Sequence, residues 1–247
     1  MRASAFEFRL RVVIMVAVIA FGAWSPWIEM WGIGGRISLL EWVSLETSRL
    51  GLLSFRAATP AVIVLSCVIA LLAAVLRVWG TAWLGSGVVN NLEMQAGGVV
   101  AAGPFRYVRN PLYLGTWLMI AAISFTLPAT GAAVTLALLS VFLLRLILGE
   151  EAFLASKLGE PYQLYRRAVP RLFPRLRSNV PAATGTPNWG RAVLAETNAI
   201  GIALILAVFS WRYDNDLMVR AIVVNFGVSL VLRAIVVKDG AQASATA

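Results

Sequence analysis

From Asn110 to Leu144 the chain runs for 35 residues without one charged side chain. About 20 apolar residues are enough to carry a helix across the roughly 30 Å hydrocarbon layer of a bilayer, so this run is too long for one crossing. Leu127-Pro128-Ala129-Thr130-Gly131 supplies a break, which divides it into two helices joined by a tight turn. Lipid offers no partner to backbone N–H and C=O groups, so the spanning units are helices that satisfy those groups internally. Uncharged runs recur at Val12–Ile28 and Ala57–Leu76, and further apolar runs extend over about Ala192–Trp211 and Leu217–Val237, the last with Arg220 and Arg233 towards its ends. The fold class expected is therefore all-α, a polytopic transmembrane bundle of about six spans. With 60% hydrophobic and 13% charged residues and a mean hydropathy of +0.80, the composition excludes an ordinary soluble domain, which carries about 25% charge. Tryptophans 24, 27, 31, 79, 83, 189 and 211 mark the proposed helix ends, as interfacial aromatic belts do. The first run follows Arg9 and Arg11 but is succeeded by Trp24, Pro26 and Trp27 in place of small residues, so it reads as an uncleaved first helix.

Lysines and arginines set the orientation. Gly149–Arg191 contains Lys157, Arg166, Arg167, Arg171, Arg175, Arg177 and Arg191, whereas Arg212–Asp216 has one arginine and two aspartates. The basic segment is expected in the cytoplasm, with both termini on the same side, as in a multi-pass protein of a bacterial inner membrane with a cytoplasmic active site. Residues 1–56 form a first span and external loop, within which Arg36–Phe55 reads as an interfacial helix. Residues 57–177 form a core, and residues 178–247 a linker at Ser178–Trp189 and a final helical pair. The proposed spans are expected to hold almost no intramembrane charge apart from Arg145, Arg220 and Arg233 near their ends. The net charge of +9 fits juxtamembrane anchoring, so no nucleic-acid partner is expected. The one cysteine, Cys67, forms no internal disulfide, and the absence of histidine removes imidazole-based triads, proton shuttles and histidine-ligated metals. No metal is expected, and the oligomeric state stays open.

Polar residues gather beside the lipid in two places. Gly103-Pro-Phe-Arg-Tyr-Val-Arg-Asn-Pro-Leu-Tyr-Leu-Gly115 leads into the third span. Pro111 suits the first helical turn, and Asn110 before it suits an N-cap. A helix N-terminus flanked by Arg106 and Arg109 favours a carboxylate or phosphate, although two arginines at a membrane boundary also serve as topology anchors. The second place begins at Glu150-Glu151 and continues through Gly159-Glu160-Pro161 to Tyr162 and Tyr165, which share one helix face. The paired carboxylates either bridge to arginines such as Arg145 or receive a cationic, hydroxyl-rich cofactor. Read together, the segments are complementary halves of one site.

Arg106 to Gly115, R-Y-V-R-N-P-L-Y-L-G, then Glu150-Glu151 with the Leu-Gly-x-x-Tyr-x-x-Tyr run and Val169-Pro170, resembles the isoprenylcysteine carboxyl methyltransferase and phospholipid methyltransferase superfamily. The resemblance covers about Ala57 to Leu176. It implies an integral membrane enzyme that uses S-adenosylmethionine, held by a cytoplasmic helical segment. Carried onto this chain, it implicates Arg109, Glu150 and Glu151 as catalytic residues. The cofactor-binding set it implies is Arg106, Arg109, Asn110, Pro111, Tyr113, Gly115, Glu150, Glu151, Tyr162 and Tyr165. Asn110 stands where the family usually has histidine, and asparagine does not titrate near neutrality. The resemblance further implies displacement of the sulfonium methyl by a lipophilic small-molecule or lipid acceptor arriving from the membrane lipids. A carboxylate acceptor is favoured over an amine, since with no histidine only Glu150, Glu151 or a tyrosine is there to take an amine's proton. Two rivals remain: an NADPH-dependent sterol-reductase-like enzyme, against which the paired carboxylates argue by repelling phosphate, and a non-enzymatic scaffold or transporter.

Overall fold

The computed structural model describes residues 2–85, 99–181, 186–212 and 214–245, the side chains of 209 and 233–245 excepted. Arg233 and Lys238 of the last run and Gly185 of the linker therefore lie outside the described side chains. The described helices are α1 (Ala5–Arg9), α2 (Arg11–Trp24), α3 (Trp27–Trp31), α4 (Leu39–Arg49), α5 (Phe55–Leu84) and α6 (Pro111–Ser124). They continue with α7 (Ala129–Leu158), α8 (Glu160–Ala168), α9 (Trp189–Ala195), α10 (Thr197–Phe209) and α11 (Asn215–Ala245). No strand occurs among the described residues, and the chain is an all-α integral membrane protein.

The span count differs from the six expected. Among the described residues four stretches are long and apolar enough to cross on their own: Arg11–Trp31, Phe55–Leu84, Ala129–Leu158 and Asn215–Leu232. A fifth is the pair α9 and α10, bent by 67° at a break where Glu196-Thr197-Asn198 interrupts the apolar run Ala192–Trp211. The break falls at Glu196, a charge inside the proposed fifth span, so the expectation that only Arg145, Arg220 and Arg233 lie in the membrane is corrected. The expected third span is the 14-residue α6, about 21 Å long and shorter than the hydrocarbon layer. Pro111 fixes where it starts, and the turn hydrogen bonds of Phe125, Thr126 and Leu127 to carbonyls of Ala122, Ile123 and Ser124 end it.

Small residues set the helix spacing, as is usual where lipid gives no hydrophobic drive to pack helices together. Ala58, Ala70, Ala73 and Ala74 let α5 sit close against its neighbours, and Met119, Ala122, Ile202 and Leu206 complete that core. Gly22 and Gly131 face each other so tightly that a Cβ on Gly131 would collide with the carbonyl of Gly22, which brings α2 onto the start of α7. Trp27 Nε1 donates to Thr130 Oγ1 at 3.0 Å across the same contact. Within the expected interfacial segment Arg36–Phe55, α4 opens with a capping box in which Glu41 N–H donates to Ser38 Oγ (3.2 Å) and Ser38 N–H to Glu41 Oε2 (2.9 Å). Backbone bonds from Leu39 to Leu127 (2.8 Å) and Leu40 to Phe125 (3.1 Å) lay it over the α6–α7 turn. At the opposite end of the bundle, Glu7 pairs with Arg145 Nη2 at 2.8 Å, and Ala3 N–H donates to the Arg145 carbonyl at 3.0 Å. The Arg145 charge is thus spent on the N-terminal segment, so it is not the partner of Glu150 or Glu151 that the sequence had offered.

Candidate active site

Two backbone bonds lay the segment before α6 alongside the segment after α8. Arg109 N–H donates to the Pro170 carbonyl at 2.8 Å, and Arg175 N–H to the Tyr107 carbonyl at 3.0 Å. Tyr165 on α8 adds a hydroxyl donation to the Phe105 carbonyl at 2.8 Å. The two motifs, about 35 residues apart in sequence, meet where the start of α6 crosses the end of α7.

Glu151 is the centre of that meeting. It is 3% exposed, on the α7 face turned inward. Arg171 closes on it as a fork, with Nε at 3.1 and 3.2 Å and Nη2 at 2.9 Å from the carboxylate oxygens. Arg109 Nη2 lies 3.4 Å from Oε1, and Asn110 Nδ2 donates to the same oxygen at 3.1 Å. One turn surface away, Glu150 Oε2 accepts from Tyr113 Oη at 2.8 Å. The adjacent carboxylates therefore differ in kind: Glu151 is enclosed by two guanidinium groups and an amide, whereas Glu150 accepts from a neutral donor on α6 and also feels the charge of Arg11.

Arg109 is the most constrained cation. Its side chain is 9% exposed, Nη1 donates to the Arg166 carbonyl at 3.2 Å, and Nε is buried with no hydrogen-bond partner. Burial pulls the pKa of this guanidinium below its ordinary value, and the Glu151 charge opposes that pull. Arg171 moves the other way because its fork on Glu151 favours the charged form. The rings of Tyr162 and Tyr165, 6.0 Å apart by centroid, form a buried wall on α8 with Val169. Burial, followed by the Glu151 charge, pushes Tyr162 up to about 12. Burial and then Tyr162 raise Tyr165 as well. Both phenols stay protonated at neutral pH and act as donors and walls, not as bases.

Four expected site residues make other contacts here. Asn110 occupies the N-cap position, yet its side chain does not cap α6. Nδ2 turns instead to Glu151 and to the Arg171 carbonyl at 3.2 Å, because the buried carboxylate is the stronger acceptor. Arg106 forks onto the Val180 carbonyl through Nε (3.0 Å) and Nη2 (2.9 Å) and pins the start of the linker. Gly115 faces α5: a Cβ there would lie 2.6 Å from Arg77 Cγ and 3.2 Å from the Ala73 carbonyl. Pro111 is buried and packs towards Gly80 of α5. The structure thus brings Arg109, Asn110, Tyr113, Glu150, Glu151, Tyr162 and Tyr165 together and sets Arg106 and Gly115 apart as braces.

Sequence reasoning passed over Arg171, which reads as one topology charge among seven, although its place directly after Val169-Pro170 was the available signal. It also passed over a buried ion pair, Arg77 Nε to Glu196 Oε2 at 2.6 Å. Among the described residues no group of histidine, cysteine or acidic side chains has the grouping to hold a metal ion.

Neither a curated protein nor a solved structure matches the chain. Residues 61–160, which carry α6, α7 and most of α5, match the family model described as phospholipid methyltransferase. That family belongs to the superfamily the two motifs resemble, so over this stretch the chain is similar to membrane methyltransferases of the phospholipid methyltransferase family.

Proposed function

We propose that the protein is an S-adenosylmethionine-dependent methyltransferase acting on a lipophilic acceptor at the cytoplasmic face of the membrane. The observation that carries this reading is the junction of the two motifs through Tyr113–Glu150 and Asn110–Arg109–Glu151, with Arg109 Nε a buried donor lacking a partner. A donor so placed fits the carboxylate of the cofactor's amino-acid end, and Glu150 fits a cationic or hydroxyl group. Bound there, S-adenosylmethionine supplies a methyl group already activated by its sulfonium. The chain's part is to orient and to exclude water: Arg109 and Glu150 hold opposite charges, and Tyr162 and Tyr165 close the wall with neutral phenols. Since neither tyrosine ionises near neutrality, an amine acceptor has only a carboxylate such as Glu150 to take its proton. A carboxylate acceptor needs no base, and we favour it.

A lipophilic acceptor is supported by an apolar cleft of about 550 Å³ between α5, α9 and α10, lined by Leu71, Val75, Trp79, Val193 and Leu204 among others. Trp79 on its rim packs against Tyr107, ring centroids 6.2 Å apart, two residues before Arg109. We place the acceptor's hydrocarbon tail there, entering sideways from the bilayer. The test is titration of the detergent-purified protein with S-adenosylhomocysteine and with NADPH. It is followed by methyl transfer from labelled cofactor to prenylated thiol acids and to phosphatidylethanolamine, the head group that the family's name suggests. Tight binding of NADPH alone overturns the reading, and preferential methylation of the amine overturns the carboxylate preference.

A further inference from the structure

Arg77 and Glu196 are charges held deep between helices, where ionisable groups are costly unless they serve a purpose. Glu196 is fully buried at the break between α9 and α10. Its oxygens take Arg77 Nε at 2.6 Å, Arg77 Nη2 at 3.0 Å and Thr81 Oγ1 at 2.7 Å. Arg77 has one nitrogen left, Nη1, and that group crosses to α6, donating to Thr116 Oγ1 at 2.6 Å and, more weakly, towards the Leu112 carbonyl at 3.4 Å. Leu112 and Thr116 flank Tyr113 and Gly115. The absent Cβ of Gly115 is the gap through which the Arg77 stem passes, with Cγ 2.6 Å from where that Cβ would stand. A continuous set of contacts therefore runs from Glu196, outside the matched stretch 61–160, to the first turns of the helix that carries the Arg-Asn-Pro-x-Tyr motif.

We propose that Arg77 and Glu196 are a positioning pair, which fixes the tilt and register of α6 so that Arg109 and Tyr113 meet Glu151 and Glu150. The C-terminal helices are thereby part of the catalytic unit and not an appendage. A planar guanidinium suits such a bridge, because its fork holds the carboxylate while the remaining amino group reaches α6, which an ammonium has no geometry to do. The pair acts through α6 and touches no reacting atom, and only its S-adenosylhomocysteine affinity readout rests on the methyltransferase reading above.

The experiment uses the full chain in detergent. Arg77→Met with Glu196→Met removes both charges at similar volume, a replacement that buried pairs commonly tolerate without loss of stability. Thr116→Val keeps the pair and removes its acceptor on α6. Three quantities are read: the unfolding midpoint, the Kd for S-adenosylhomocysteine, and the distance between spin labels at positions 117 and 144 in a Cys67→Ala background. The expected result is a near-parental midpoint, a Kd raised at least tenfold in the double variant and several-fold in Thr116→Val, and a shifted or broadened distance distribution. Parental Kd and parental distance in a folded double variant overturn the proposal. Should the double variant not fold, the same two results in Thr116→Val overturn it. Should the unmodified protein bind no S-adenosylhomocysteine, the functional reading fails, while the distance arm still decides the positioning role.

Discussion

Glu151→Gln removes the charge on which two arginines close, and the cost follows from where each arginine is left. Arg171 loses three contacts between 2.9 and 3.2 Å, but its side chain is 35% exposed and rehydrates. Arg109, at 9% exposed, has no water to turn to. Removing one partner of a buried ion pair costs about 3–5 kcal/mol. The amide oxygen of glutamine still accepts a hydrogen bond and returns about 1 kcal/mol, which leaves a net loss of about 2–4 kcal/mol. Glu150→Gln is a smaller change, since Tyr113 Oη at 2.8 Å exchanges a charged acceptor for a neutral one, a difference of about 1 kcal/mol, and Arg11, whose charge also acts on Glu150, is only partly buried and rehydrates. At about 2–4 °C per kcal/mol for a chain of this size, Glu151→Gln lowers the unfolding midpoint by about 5–15 °C and Glu150→Gln by only a few degrees. Binding of S-adenosylhomocysteine reverses the ranking among folded protein: Glu150→Gln loses about ten- to hundredfold through a direct contact. Tryptophan fluorescence on heating and calorimetric titration measure the two sides. A Glu151→Gln protein as stable as the parent, or a Glu150→Gln protein less stable than the Glu151→Gln protein, refutes the division of labour.

Arg109→Ala weakens S-adenosylhomocysteine by about ten- to hundredfold, because it removes a charge-assisted contact, whereas Arg175→Ala, whose Nη1 only meets the Ala168 carbonyl, binds like the parent in the same titration. Burial lifts Tyr162 to about 12 and raises Tyr165 too, so the unfolded chain, whose tyrosines ionise near 10, loses those protons first. The stability from these phenols is complete below about pH 10 and drains away as pH rises towards 12, which denaturation midpoints against pH will show together with late tyrosinate absorbance. Shortening the acceptor tail by four carbons lowers apparent affinity at least tenfold, at about 0.8 kcal/mol per methylene, in the labelled transfer assay. A cysteine placed at Ser178 reacts with impermeant reagent from the cytoplasmic side of the membrane only.

What the sequence made legible is what one-dimensional pattern encodes. Uncharged runs located α2, α5 and α7, and an apolar run with arginines towards its ends located α11, since burial in lipid is written residue by residue. Pro111 and the Leu127–Gly131 turn marked both ends of α6, but its shortness was not visible, because the run Asn110–Leu144 is as apolar through the turn as on either side. The bend at Glu196 was hidden for the complementary reason: a single acid in an apolar run carries its meaning only when its partner is known, and Arg77 lies 119 positions away. The same holds within the site. That Glu150 and Glu151 belong with Arg109 and Tyr113 followed from their order, yet which carboxylate meets which donor depends on how steeply α6 crosses α7. Arg106 and Gly115 belonged to the motif in sequence and to the scaffold in space, one fixing the linker and the other admitting a side chain from α5.

Asn110 shows how the site does without histidine. Its amide nitrogen carries two hydrogens, and both are used, one on Glu151 Oε1 and one on the Arg171 carbonyl. A neutral imidazole has one N–H and would leave one of these acceptors without its donor; an imidazolium has two, but placed on opposite edges of a ring and present only below about pH 6.5. Asparagine thus makes the contacts of a doubly donating group at every pH at which the protein is folded. It joins the start of α6 to the α7 carboxylate and to the segment after α8 without adding a charge beside Arg109 and Arg171. With both wall tyrosines also neutral, Asn110 and the α8 wall carry no titration between about pH 6 and 9. Such a surround can hold the ends of a zwitterionic ligand but has little capacity to relay protons, which fits the proposed carboxylate acceptor, since that group needs no proton removed before it attacks.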